Sequence, residues 1–200
     1  MREPPLTLGF EDEPPDDDEP GARPVRAGAP AAAASTDGFV VRTDGAARGN
    51  PGPAAAGAVL IALARSDAHD PLAAPDASIS DYLGVQTNNV AEYTAVVRAI
   101  ALAQELGARR LELLLDSKLI VEQLAGRWRV KDAKLIPLWE EARRTLRGFS
   151  RWSADHVPRA QNSAADALAN EAIDRVAAGG PASVVRRPGT SAPGGTSGAG

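Results

Sequence analysis

Between Phe39 and Ala178 the spacing of apolar residues changes from two to about 3.6 and back in a fixed order, and that order limits the possible folds. Phe39–Thr43 reads as a short β run that ends at Asp44, and Gly45–Pro53 as a turn-forming stretch. Ala54–Ala64 and Ser78–Val85 read as two more strands, separated by a polar loop with Pro71 and Pro75. The period then becomes helical: Tyr93, Val96, Val97, Ile100 and Ala103 share one face of Asn89–Leu106, and Gly107 stands at its stop. Arg110–Leu115 is a strand ending at Asp116, followed by helices over Ser117–Leu124 and Ala133–Leu146. Phe149–Val157 supplies a fifth strand and Asn162–Ala178 a last helix, capped by Asn162 or Ser163. The order βββαβααβα predicts an α/β layered domain, with a three-stranded antiparallel meander continued into a mixed sheet and helices on its faces.

Everything that can build a core lies inside this span of a 200-residue chain. Residues 1–37 mix Pro, Asp, Glu, Gly and Ala and cannot offset the entropy of ordering, so they are expected to form a disordered acidic arm. Residues 38–178 form the expected domain, and residues 179–200, rich in Gly, Pro and Ser, a disordered tail. The formal charge of −4 is uneven: residues 1–38 carry 3 basic and 9 acidic groups, residues 39–175 carry 17 of each. The acidity therefore belongs to the arm and says little about what the domain binds. With no Cys there is no disulfide, thiolate nucleophile or Cys-based metal site, which fits a cytoplasmic protein. The longest apolar stretch, Ala54–Ala64, is too short to span a membrane, and the acidic N-terminus does not read as a signal peptide. No heptad and no spare apolar face is visible, so a monomer is expected, and no protein partner can be inferred.

Asp44 and Asp116 each follow a predicted strand at its carboxyl end, the edge where α/β sheets place ligands. Glu92 and Asp166 fall in the first turns of two predicted helices, so all four can converge. Singly, each has a plain structural explanation in the helix dipole or in turn formation. Together they would repel one another and raise one another's pKa unless a cation compensates. All-oxygen ligation favours Mg²⁺ or Mn²⁺, and two such ions can drive an in-line phosphoryl displacement.

The surrounding segments are Asp44-Gly-Ala-Ala-Arg-Gly-Asn-Pro-Gly-Pro53, Thr87-Asn-Asn-Val-Ala-Glu-Tyr93, Leu115-Asp-Ser-Lys-Leu119 and the run from His156 through Asn162 and Asp166 to Asn170. In this order and spacing they closely resemble type I ribonuclease H, in its compact prokaryotic reverse transcriptase-like branch, from about Phe39 to Asp174. The resemblance implies a ribonuclease H-like fold with a five-stranded mixed sheet, three antiparallel strands then parallel ones. It also implies endonucleolytic hydrolysis of the RNA strand of an RNA/DNA hybrid, leaving a 5′-phosphate and a 3′-hydroxyl. In that scheme Asp44 bridges two Mg²⁺ ions, Asp116 and Glu92 complete the site, and Asp166 holds the ion beside the attacking water.

By the same correspondence Gly45, Asn88 and Asn89 lie along the RNA minor groove, where a 2′-hydroxyl can be tested, and Asn50 and Thr87 near the DNA phosphates. His156, ten residues before Asp166, matches a loop histidine tied to proton transfer or product release, although a Val-Pro-Arg run replaces the usual glycine-rich loop. Lys118 stands where many members carry Gln, adding phosphate attraction. Arg127, Trp128 and Arg129, with Lys131 and Lys134, form a small basic and aromatic patch in place of a longer basic protrusion. Two rival readings remain: a non-catalytic nucleic-acid-binding module, and a nuclease of the same superfold acting on another nucleic-acid structure.

Overall fold

The computed structural model describes residues 38–188, so the acidic arm and residues 189–200 of the tail lie outside the described residues. Its elements run β1 (Gly38–Ala47), β2 (Gly52–Ala62), β3 (Ala77–Gln86), α1 (Asn88–Glu105), β4 (Arg110–Leu115), α2 (Lys118–Leu124), α3 (Ile136–Leu146), β5 (Arg151–His156), α4 (Ser163–Ala177) and β6 (Ser183–Arg186). Among the described residues one sheet holds every strand, in the order β5-β4-β1-β2-β3-β6. The first three strands pair antiparallel, and β4 and β5 continue parallel from β1, as the mixed-sheet reading requires.

Strand alternation sorts the side chains to two faces. Val41, Leu60, Ile79, Leu111 and Leu113 turn to one face and form the main core with Tyr93, Val96 and Ile100 of α1, Leu124 of α2 and Leu146 of α3. On the other face Ala55 packs against Ala172 and Ile173 of α4. This close seating depends on Gly57, where a Cβ would meet the Ala165 carbonyl oxygen at 2.1 Å and the Ala169 nitrogen at 2.6 Å. Helices thus cover both faces. Among the described residues no helix is long and apolar enough to cross a membrane.

The structure corrects the sequence reading in several places. The sheet has six strands rather than five, because Ser183–Arg186, inside the segment expected to be a disordered tail, pairs antiparallel with β3. Four residues between Gly/Pro-rich neighbours give too short an alternation to signal a strand, and tertiary contacts hold it. Val185 packs on the main core, and Arg175 of α4 donates to the Ser80 backbone oxygen at 2.6 Å, beside the new pairing. The stretch from Gly45 is also not a turn throughout. β1 continues to Ala47, paired with Ala54, so only residues 48–51 make the connection. Backbone pairing is indifferent to the small side chains that suggested a turn.

Asp44 therefore lies inside β1, not at its end. Parallel pairing with β4 stops at Thr43 opposite Leu115, while pairing with β2 runs on. The result is a notch between β1 and β4. Glu92 falls just past the first turn of α1, since the helix begins at Asn88 behind the cap Thr87, whose side chain accepts from the Val90 N–H. Helix α3 starts at Ile136 instead of Ala133, with Pro137 in its first turn, where a missing N–H costs nothing.

Candidate active site

Asp44, Glu92, Asp116 and Asp166 line one cavity of about 400 Å³ at the notch, together with Gly45, Ala46, Ala47, Asn88, Ser117, Arg159 and Asn170. They come from β1, α1, the link between β4 and α2, and α4. Two contacts bring these elements together. At Gly45 a Cβ would stand 2.1 Å from the Glu92 nitrogen, so the bare glycine lets α1 approach β1. Asn162, 1% exposed at the start of α4, donates its side-chain amide to the Thr43 carbonyl at 2.7 Å and to Asp116 Oδ1 at 3.0 Å. Expected as a helix cap, Asn162 makes no capping bond with its side chain and instead ties α4 to β1 and to Asp116.

The other carboxylates each have a partner. Asp44 Oδ1 accepts from the Gly45 N–H at 2.9 Å, Glu92 Oε1 from the Asn88 amide at 2.7 Å, and Asp166 Oδ1 from the Arg159 guanidinium at 3.4 Å. Asp44 is 5% exposed, and its pKa is pushed from 3.8 up to about 7. Burial is the main cause, followed by the negative charge of Asp116 and by a hydrogen bond and repulsion from Asp166, against a smaller opposing effect of the Gly45 N–H. Burial also raises Glu92, partly countered by the Ser117 hydroxyl, Arg159 and Asn88. Asp166, Asp44 and Asp116 in turn hold the Arg159 guanidinium more firmly charged.

Among the described residues no three His, Cys, Asp or Glu side chains stand in position to hold an ion together. The donor set nevertheless fits a hard divalent cation. It is made of carboxylate oxygens on one cavity, and the strain it carries, a buried carboxylate raised by its neighbours, is what such a cation relieves.

Of the remaining predicted residues, Gly45 and Asn88 line the cavity. Asn50 Oδ1 accepts from the Asn88 N–H at 3.2 Å, fixing the β1–β2 connection to the start of α1. Thr87 caps that helix and Asn89 is exposed beside it. His156 lies outside the cavity lining, at the end of β5, with Nε2 3.2 Å from the Asp116 backbone oxygen. Lys118 opens α2 and is exposed. Trp128 is 47% exposed, Arg127 is ion-paired to Glu122, and the Arg129 carbonyl accepts from the buried Gln123 amide. Sequence reasoning missed Arg159, Asn170 and Ser117 as lining residues. Each lies inside a quoted motif, but only the fold shows which way it points.

The chain matches the family model described as "Reverse transcriptase-like" over residues 42–172. It is 42% identical over 138 residues to the bifunctional protein Rv2228c of Mycobacterium tuberculosis, covering 69% of this chain and 36% of that protein. It is 46% identical over 135 residues to ribonuclease HI of Halobacterium salinarum, covering 66% of this chain and 62% of that protein. The chain thus spans about a third of the first relative and less than two thirds of the second. Among solved structures, LC11-RNase H1 in complex with an RNA/DNA hybrid superposes with a TM-score of 0.58 at 35% identity, over 70% of this chain and 99% of that one.

Proposed function

Because the chain belongs to the type 1 ribonuclease H family, in its reverse transcriptase-like branch, we propose that it is an endonuclease that hydrolyses the RNA strand of RNA/DNA hybrids. The products are a 5′-phosphate and a 3′-hydroxyl. The observation that carries this reading is the gathering of Asp44, Glu92, Asp116 and Asp166, from four separate elements, onto one open cavity.

Those four residues would hold two Mg²⁺ ions, with Mn²⁺ as a substitute. When bound, the ions would acidify a water and neutralise the leaving oxygen of an in-line displacement. The chain's own residues do the rest. Asn162 fixes Asp116, Asn88 holds Glu92 through one carboxylate oxygen, and the Gly45 N–H fixes Asp44. Asn88 and Asn89, at the start of α1, would test a minor-groove 2′-hydroxyl, which favours RNA as the strand cut. The basic loop of Arg127, Trp128 and Arg129 grips the partner strand through phosphate attraction and stacking.

The test is incubation of the protein with a hybrid labelled on each strand, with Mg²⁺, Mn²⁺ or chelator, beside an Asp116→Asn control. Metal-dependent loss of the RNA strand alone is expected. Binding without cleavage under every metal would favour an inert nucleic-acid-binding module, and equal cleavage of both strands a nuclease of another specificity.

A further inference from the structure

Among the described residues lining the carboxylate cavity, one side chain is cationic: Arg159. It sits in a single 3₁₀ turn, Arg159–Gln161, behind Pro158 and seven residues ahead of Asp166. Its guanidinium reaches Asp166 and lies within the field of Asp44, Asp116 and Glu92, so all four acidic residues feel it. The side chain is 79% exposed, which means it enters from solvent and is not built into the core. An ion pair this exposed is weak, so breaking it costs little.

Each of the four carboxylates has a hydrogen-bond partner, and for Asp166 that partner is the Arg159 guanidinium.

We propose that Arg159 is a built-in counter-cation of the carboxylate cluster and competes with divalent metal for it, so that loading the site displaces Arg159 from Asp166. This rests on the metal-site reading above. It assigns Arg159 a task separate from hydrolysis, namely setting how tightly the site takes its metal and keeping the acidic cavity tolerable when the metal is scarce.

Mn²⁺ binding to the full chain, measured by calorimetry in the absence of nucleic acid, tests this in wild type, Arg159→Ala, Arg159→Gln and Arg159→Lys. Removing the positive charge should tighten Mn²⁺ binding about three- to tenfold in the Ala and Gln variants, with Lys close to wild type. Without metal, the Ala and Gln variants should melt below wild type at pH 8, and saturating Mn²⁺ should raise their melting temperature by more than it raises that of wild type. Unchanged or weaker Mn²⁺ binding in both neutral variants, with wild type binding normally, would overturn the proposal. Absence of Mn²⁺ binding in wild type as well would overturn the metal-site reading on which it rests.

Discussion

The side-chain amide of Asn162 stands 3.0 Å from Asp116 Oδ1 and at the same time 2.7 Å from the Thr43 carbonyl, so one buried residue joins α4, β1 and the carboxylate after β4. Asn162→Ala should leave both acceptors short of a donor, costing roughly 1–3 kcal/mol in urea denaturation. It should also lower kcat for hybrid cleavage by more than it raises KM, because Asp116 loses its orientation. Asn162→Asp, which sets a second negative charge against Asp116, should be worse than Ala in both measurements.

The stability of the metal-free protein should fall as pH rises from about 4 to about 7. Asp44 has its folded pKa raised from 3.8 to about 7, so the folded state holds a proton there that the unfolded chain has given up. The stabilisation is complete below the unfolded value and is lost as pH climbs through the folded one. Asp44→Asn should remove that loss. At pH 8 without metal it should melt above wild type, and below pH 4 the two should converge. An equal gap at both pH values in thermal melts would contradict this.

Gly45→Ala and Gly57→Ala should each cost about 3 kcal/mol or more, a large effect for one methyl group. In both cases the added carbon meets backbone at 2.1 Å, of α1 in the first and of α4 in the second, and backbone cannot rotate aside. Chemical denaturation gives the cost. The loss of cleavage should exceed what partial unfolding explains, since Glu92 and Asp166 ride on the displaced helices.

The basic loop should act through binding. Tyr93 donates its hydroxyl to Gln123 Oε1, and the Gln123 amide supports the Arg129 carbonyl, so the loop is fastened to the core from beneath. Gln123→Leu should raise KM for hybrid with little change in kcat. Arg129→Ala and Lys131→Ala should each reduce the slope of log affinity against log salt by about one. Arg127→Ala should do less, because Glu122 already holds that charge.

Much of this was legible in the sequence because it is periodic or charged. β4 follows its predicted bounds of Arg110–Leu115, where alternation was clear, and α1 and α4 differ from expectation by a residue at each end. The convergence of Asp44, Glu92, Asp116 and Asp166 could be argued from element ends and from the family resemblance. What escaped was set by tertiary contact alone. The extension of β1 past Asp44 depends on backbone pairing of small residues, and β6 on four residues meeting a sheet edge. The turning of the Asn162 amide away from its own helix depends on two acceptors contributed by distant strands. Arg159 carried no signal of its own, because a lone arginine in a polar turn reads the same whether it faces solvent or a cluster of acids.

Strand β6 occupies the side of β3 that β2 leaves free. An open flank of that length would offer its peptide groups to any extended chain that came near, including another copy of this one. By folding β6 back onto that flank, the protein shields part of a seam along which molecules could otherwise stitch together into aggregates.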